Sequence, residues 1–373
     1  MIPSLRVANL GLIFIITLGL FASQVPALMV LAVIFLLTVN IKGFVEIRAG
    51  RFNVLLALLV MLVVMPSFFD ISHGFSSVFY FFGSVICLVS AKYIADRYSL
   101  YDIYAAVRLL FVLFTLFLSF FLYKYWGFKE PFGEIVTGSS TNGFPSYFIV
   151  VQIVLSSLSY LVFRKVNLLF AAITFGVAFF GNGRGSLVIA IGILVFSAYV
   201  NIFLSANSRS LSRTVFAIIF SVVPVIFVSL IVMQFWNELI MLTKLSVGLV
   251  DENRLEILSI YLENLDAFGA IFGGSYSGTL IASEYSGNPH ISFIRTHYLF
   301  GLLPMLAYIV SPVLIIFLVR DRKAKFVLLG FITLVWLRVL SEPILFPTVL
   351  DFFYFLIFFS ALRYDREFNK YSA

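Results

Sequence analysis

Residues 145–163, PSYFIVVQIVLSSLSYLVF, form a run of 19 residues without a charge, and the basic pair Arg164 and Lys165 follows them directly. About 20 predominantly apolar residues cross the hydrocarbon core of a bilayer as one α-helix. Lys and Arg collect in the cytoplasmic loops of membrane proteins. The stretch therefore predicts a transmembrane helix whose end at Arg164 faces the cytoplasm.

Similar runs recur along the whole chain. Of its 373 residues, 62% are hydrophobic and 12% are charged, and the mean hydropathy is +1.08. Soluble domains contain about 45–50% apolar residues, so this composition excludes a soluble domain. It predicts an all-α integral membrane protein in which residues 1–373 form a single polytopic domain. We predict about twelve transmembrane helices, at residues 8–23, 25–41, 53–68, 75–92, 104–123, 145–163, 166–181, 185–204, 214–235, 297–319, 326–342 and 344–362.

Basic residues orient these helices. Eighteen of the 25 Lys and Arg residues fall on one side, so both termini are predicted to be cytoplasmic. The run after Arg6 continues into the second span without a convincing small-residue cleavage site, which predicts a retained helix. The pI near 9.4 then reflects topology and contact with anionic lipid, and no nucleic-acid partner is predicted. The eighteen are Arg6, Lys42, Arg48, Arg51, Lys92, Arg97, Arg108, Arg164, Lys165, Arg209, Arg213, Arg320, Arg322, Lys323, Lys325, Arg363, Arg366 and Lys370.

One predicted outer loop, residues 236–296, is too long for a passive connection, and loops of this length are commonly functional. Asn253 and Glu256 have the spacing of a capping box, which predicts the start of a helix. An amphipathic helix of about 14 residues should follow, lying on the membrane surface or over the bundle. A glycine-rich turn at 269–278 should end it. The predicted apolar face is Leu255, Leu258, Leu262 and Leu265.

Four residues on the predicted outer side are candidates for chemistry. Arg184 lies in GNGRGS, where small neighbours allow the backbone to approach a ligand. Arg254 falls near the first position of the amphipathic helix, where a guanidinium beside unpaired N–H groups suits phosphate. His290 and Arg295 lie in PHISFIRTH, and histidine can transfer protons near pH 7.

Each candidate also has a structural interpretation. Arg184 could cap a turn or extend toward lipid headgroups, and Arg254 could pair with Glu252 or Asp251. His290 could simply bond to the backbone, as a loop histidine often does.

Other polar residues are expected to be structural. His297 should pack or form structural hydrogen bonds. His73 is also expected to be structural, with contact to a glycan as the alternative. Arg338 and Glu342 are four residues apart and costly in lipid, so they should pair with each other.

No familiar cofactor motif is present. The single cysteine, Cys87, excludes an intrachain disulfide and a cysteine-based metal site. The candidates are not accompanied by a Walker-type loop, zinc-ligand spacing or a Gly-x-Ser-x-Gly elbow. We therefore predict neither a metal nor a cofactor.

Three segments resemble motifs of the bacterial O-antigen polymerase and ligase superfamily of multispanning glycosyltransferases. GNGRGSLVIAIGILVF (181–196) is similar to a short loop in which arginine between small residues opens a helix. NRLEILSIYLENLDAFGAIFGGSYSG (253–278) is similar to the long-loop segment that begins with arginine. PHISFIRTHYLFGLLPM (289–305) resembles the histidine motif, in which His290 and Gly301 keep the family spacing. Ile291 replaces the usual Asn, so any role of that amide is not carried over.

The resemblance implies a GT-C-like fold and an O-antigen polymerase. Such an enzyme transfers a growing glycan from undecaprenyl diphosphate to a sugar hydroxyl of an undecaprenyl-diphosphate-linked repeat unit, with inversion and without a metal. His290 would be the general base or would orient the acceptor, and Arg184 and Arg254 would hold the diphosphate, with Arg295 as a third candidate. Implied partners are the lipid-linked oligosaccharide, membrane lipid and a chain-length regulator protein. The implied location is the bacterial inner membrane, with the long loop 236–296 carrying catalytic elements on the periplasmic side.

Two other functions compete with this one. An O-antigen ligase would use the same motifs to move the finished glycan to lipid A-core. A polysaccharide flippase or transporter would more often carry ionisable residues near mid-membrane or repeated halves with broken helices. Apart from Asp351, charge within the predicted spans is scarce, and no internal repeat is apparent. These observations favour an enzyme over a flippase or transporter, and they do not separate a polymerase from a ligase.

Overall fold

The structure is a computed structural model. It describes residues 5–42, 76–128, 130–136, 143–181, 183–204, 252–283, 287 and 289–372. Most of these residues are helical, and none of them is in a β-strand. Five of the described helices are long and apolar enough to cross a membrane, and three shorter helices are also apolar. The chain is therefore an all-α protein of the multi-pass membrane class.

Fourteen helices lie in the described part of the chain. They are α1 (Leu5–Ala22), α2 (Pro26–Val39), α3 (Ser76–Arg97), α4 (Leu100–Lys124), α5 (Gly143–Phe163), α6 (Leu168–Phe180), α7 (Arg184–Tyr199, continued by a π-helical turn at Val200–Leu204), α8 (Glu252–Glu263), α9 (Ala267–Phe272), α10 (Leu280–Ser283), α11 (Ser292–Phe300), α12 (Leu302–Leu318), α13 (Arg322–Val339) and α14 (Asp351–Ser372).

Helices α1 to α7 match seven predicted spans, and most of their ends lie within a few residues of the predicted ends. The α3 helix is the exception, because it continues to Arg97, five residues past the predicted end. The predicted spans at 53–68 and 214–235 lie outside the described residues, as does His73. The total of twelve spans stays a prediction.

The predicted span 297–319 is wrong in detail, because Gly301 divides it into α11 and α12. Gly301 has a φ of +80°, which favours glycine. A Cβ atom at this position would lie 2.6 Å from the carbonyl oxygen of Ile271. The long loop therefore approaches the backbone so closely that no larger residue fits.

The last predicted span also begins too early, at residue 344 instead of Asp351. Residues 341–350 are not helical in the structure. Pro343 and Pro347 lie in this stretch, and proline both lacks an N–H and disfavours helical backbone in the residue before it. Asp351 is consequently the first residue of α14 and does not lie in mid-span.

Helix α5 is the centre of the bundle. It contacts α4, α6, α7, α13 and α14, and nearly all of its residues are buried. Two of its buried polar side chains bond to each other, since Gln152 Nε2 donates to Ser156 Oγ at 2.9 Å. The stretch that first predicted a membrane span is thus the helix around which the others pack.

One end of the bundle is joined by basic side chains. Arg363 donates to the carbonyl oxygens of Ala95, at 2.8 Å, and Asp96, while Arg366 pairs with the Asp96 carboxylate at 2.6 Å. These contacts tie the end of α14 to the end of α3. The basic residues belong to connections that the sequence assigns to the cytoplasm.

Asp321 completes this end by capping α13. Its Oδ1 accepts from the N–H groups of Lys323 and Ala324, and its Oδ2 accepts from Tyr364 Oη at 2.9 Å and pairs with Arg164. Burial would raise the pKa of Asp321, but the hydrogen bonds from Tyr364, Ala324 and Arg164 outweigh it and hold the pKa below its ordinary value of 3.8.

We expect Asp321→Asn to destabilise the protein by about 1.5 kcal/mol, because asparagine can still cap α13 but loses the charge that Arg164 pairs with. A depressed native pKa contributes stability above the unfolded pKa and loses it as pH falls through the native pKa. Thermal unfolding of the solubilised protein between pH 6 and 3 should therefore show a smaller stability loss on acidification in the variant. An equal loss in both proteins would contradict the assignment.

Candidate functional site

A cavity of about 510 Å³ that contains several polar side chains lies at the opposite end of the bundle. Its walls come from the turn between α1 and α2, helix α2, the first half of α3, the start of α5, helix α11 and the non-helical stretch before α14. Most of the lining is apolar. Its polar lining side chains are Gln24, Tyr80, Ser84, Cys87, Tyr147, Arg295 and Thr348.

Arg295 is the one cation among the residues that line this cavity. Its Nη2 donates to the carbonyl oxygens of Leu345, at 3.2 Å, and Pro347, at 3.3 Å. Its Nε is buried and has no hydrogen-bond partner among the described residues. Buried donors are nearly always paired in native proteins. A guanidinium held on one side with a donor left unused is suited to bind an anion.

The helix that carries Arg295 is fixed to the same non-helical stretch. Ser292 Oγ donates to the carbonyl oxygen of Glu342 at 2.8 Å. Thr296 Oγ1 lies 2.5 Å from the carbonyl oxygen of Phe346. Ser292, Arg295 and Thr296 are spaced so that one face of α11 presents all three donors. This face holds the guanidinium in one place relative to the cavity.

Two tyrosine hydroxyls belong to the same cavity. Tyr147 lies in the second turn of the buried helix α5 and accepts from Gln24 Nε2 at 3.5 Å, and Tyr80 lies in the second turn of α3. Tyrosine hydroxyls can donate to phosphate or sugar oxygens. The cavity therefore offers neutral donors beside the guanidinium.

An apolar groove of about 320 Å³ adjoins this cavity. It lies between α3, α12 and α14, and its lining is almost wholly hydrocarbon, including Phe81, Leu303 and Phe355. Ser84 lines both the groove and the cavity that contains Arg295. A ligand with a polar head and an apolar tail would fit the two spaces together.

The long loop packs against α11 through a small separate hydrophobic core. As predicted, residues after 252 form a helix, α8, but Asn253 lies inside its first turn and is not the N-cap. The predicted leucine face is confirmed only in part, because Leu258 and Leu265 pack against this core. Ile257 and Tyr261 are the buried residues, whereas Leu262 is 56% exposed. The buried face of α8 is therefore centred on Ile257 and Tyr261, with Leu258 and Leu265 at its edge. This core consists of Ile257, Tyr261, Tyr276, Ile281, Ile291 and Ile294.

His297 links α11 to this loop. Its Nδ1 lies 2.6 Å from Tyr261 Oη, and its Nε2 lies 3.0 Å from the carbonyl oxygen of Ala270. Because a carbonyl can only accept, Nε2 carries the proton and Nδ1 accepts from Tyr261. Burial raises the pKa of Tyr261 and lowers the pKa of His297, so both stay neutral. The predicted structural role of His297 is confirmed.

We expect Tyr261→Phe to destabilise the long loop by about 1–2 kcal/mol, because it leaves the Nδ1 atom of His297 buried and unpaired. Tyr276→Phe is the matched control. The Tyr276 hydroxyl is buried without a partner among the described residues, so its removal should cost little. Hydrogen exchange of residues 252–283 measures the difference. Equal protection in the two variants would contradict this account.

The structure places the four predicted site residues unevenly. Arg295 reaches the cavity. His290 precedes α11, is half-buried, and has a φ of +53°, which is uncommon for a residue with a side chain; it is not among the residues that line the two cavities. Arg184 is the first residue of α7 and Arg254 lies in the first turn of α8, but their side chains lie outside the described part of the structure.

Arg338 and Glu342 pair as predicted, with 3.5 Å between Nη2 and Oε1. The sequence did not predict that Arg338 also donates to Ser146 Oγ, from Nε at 3.1 Å and from Nη2 at 2.6 Å. Gly185 lies against this guanidinium, since a Cβ there would be 2.9 Å from Nη1. The backbone that follows Arg184 therefore lies at the cavity end of the bundle.

Among the described residues, no group of three or more His, Cys, Asp or Glu side chains could hold a metal ion. Comparison of the chain with protein-family models, curated proteins and solved structures found no match.

Proposed function

We propose that this protein is an O-antigen polymerase, a membrane-embedded glycosyltransferase whose donor is a glycan on undecaprenyl diphosphate. The observation that carries the proposal is the Arg295 guanidinium, held by two carbonyls, with an unused buried donor, beside an apolar groove. A diphosphate head would bind at Arg295, and the polyprenyl chain would occupy the groove. The three sequence motifs support the same donor.

In the proposed reaction, an acceptor sugar hydroxyl attacks the anomeric carbon of the donor glycan. The bond from that carbon to the diphosphate oxygen breaks, and undecaprenyl diphosphate leaves with the bonding electrons. A single displacement inverts the anomeric centre. His290 would take the hydroxyl proton as general base. Arg295, with Arg184 and Arg254, would compensate the negative charge that develops on the leaving diphosphate.

The arrangement of charge supports a periplasmic site. The cavity lies at the end of the bundle opposite Arg363 and Arg366. Basic residues mark the cytoplasmic side, so the cavity would open to the periplasm of a bacterial inner membrane. Lipid-linked donors suit this compartment, because no nucleotide-sugar pool is expected there. Further proposed partners are membrane lipid and a chain-length regulator protein.

The first test is a lipopolysaccharide gel from a deletion strain carrying wild-type protein, Arg295→Ala or His290→Ala. Deletion should remove the ladder and leave core with one repeat unit, and wild-type protein should restore it. Both variants should fail to restore it at normal membrane levels. Arg366→Ala is the matched control, because it removes an arginine from the opposite end. Bare core in the deletion strain would indicate a ligase instead, and an unchanged ladder would overturn the proposal.

Arg295→Lys separates charge from geometry. Lysine keeps the positive charge but cannot bond two carbonyls and still present a planar fork of donors. We expect the rate of polymerisation to fall about tenfold or more, measured with purified protein and lipid-linked repeat units. A wild-type rate would show that charge alone suffices.

A further inference from the structure

Two peptide groups lie between Asp351 and Arg295. In the first, the carbonyl of Leu345 accepts from Arg295 Nη2 while the N–H of Phe346 donates to Asp351 Oδ1 at 2.9 Å. In the second, the carbonyl of Pro347 accepts from the same Nη2 while the N–H of Thr348 donates to Asp351 Oδ2 at 3.0 Å. Each pair of groups belongs to one planar amide. The cation and the carboxylate are thus connected twice through the backbone.

This arrangement is not a helix cap. Asp351 is the first residue of α14, yet its carboxylate accepts from N–H groups that precede the helix. The first-turn N–H groups of Phe353 and Tyr354 bond instead to the carbonyl oxygen of Leu350. The side chain therefore points back into the non-helical stretch. Its hydrogen bonds fix that stretch and contribute nothing to the start of α14.

The electrostatics favour this connection. Each amide has its N–H toward a carboxylate and its carbonyl toward a guanidinium, so its dipole is aligned between opposite charges. Hydrogen bonds in such a chain polarise one another, most strongly where water is excluded. Asp351 is fully buried. Among the described residues, no direct ion pair joins Asp351 to Arg295, so the two amides form the hydrogen-bonded connection between them.

We propose that Asp351 is a positioning residue that orients the Arg295 guanidinium through these two amides. With Nη2 held by the two carbonyls, the remaining donors of Arg295 are left for an anion in the cavity. Only the identity of that anion, the diphosphate of a lipid carrier, rests on the proposed function. The connection itself does not depend on it.

The test compares Asp351→Asn with Asp321→Asn. Asparagine at 351 can accept one of the two N–H groups, but its own NH₂ would face the other, so one amide is released. Asp321 also accepts from two backbone N–H groups, but at the opposite end of the bundle. Both variants should lose stability. Only the variant at 351 should alter Arg295.

Two measurements on the full-length protein in nanodiscs test whether Arg295 is altered. The first is the ¹⁵N signal of the Arg295 Nε–H, assigned by its loss in Arg295→Lys. It should shift or broaden in Asp351→Asn and stay unchanged in Asp321→Asn. The second is calorimetric binding of farnesyl diphosphate, which Asp351→Asn should weaken about tenfold. In an Arg295→Gln background, Asp351→Asn should have no further effect on binding.

The outcomes separate the two proposals. An unchanged Arg295 signal in Asp351→Asn, or equal changes in both Asn variants, would overturn the positioning role. Additive losses of binding in the double variant would overturn it as well. A changed signal without any binding of farnesyl diphosphate by the wild-type protein would uphold the positioning role and count against the proposed lipid carrier.

Discussion

The requirement that every backbone polar group be satisfied inside an apolar bundle governs this structure. Residues 341–350 separate α13 from α14 and are mostly buried, and their carbonyls would be costly without partners. Helix α11 supplies those partners through Ser292, Arg295 and Thr296, and Asp351 supplies acceptors for the N–H groups. The cavity exists because the non-helical stretch is stabilised from both sides. Its most chemically useful side chain, Arg295, is also one of its structural supports.

This dual use has a consequence for function. Irregular backbone in membrane proteins is tolerated where it is buried in protein or lines a cavity. Here it does both, and the guanidinium that satisfies it keeps a donor free for an anion. An enzyme that stabilises a leaving diphosphate benefits from such a group, because the charge is already oriented and needs no rearrangement during the reaction.

The two ends of the bundle use arginine differently. At the end with Asp321, the arginines pair with carboxylates and carbonyls of neighbouring helices, which is a structural use. At the cavity end, Arg338 is satisfied by Ser146, Ser341 and Glu342. Arg295 differs from these arginines in having a buried donor without a partner among the described residues. Its surroundings, not its residue type, are the basis for proposing it as the anion-binding residue.

The sequence by itself determined the membrane class and most of the described helices, because a long apolar run has few alternatives to a buried helix. It also placed Arg295 and His290 beside each other in one segment. Tertiary structure decided the rest. The break at Gly301 depends on the approach of Ile271, and which residues of α8 are buried depends on the small core around Tyr261. The connection from Asp351 to Arg295 joins residues that are distant in the chain, through amides whose directions only the folded backbone sets.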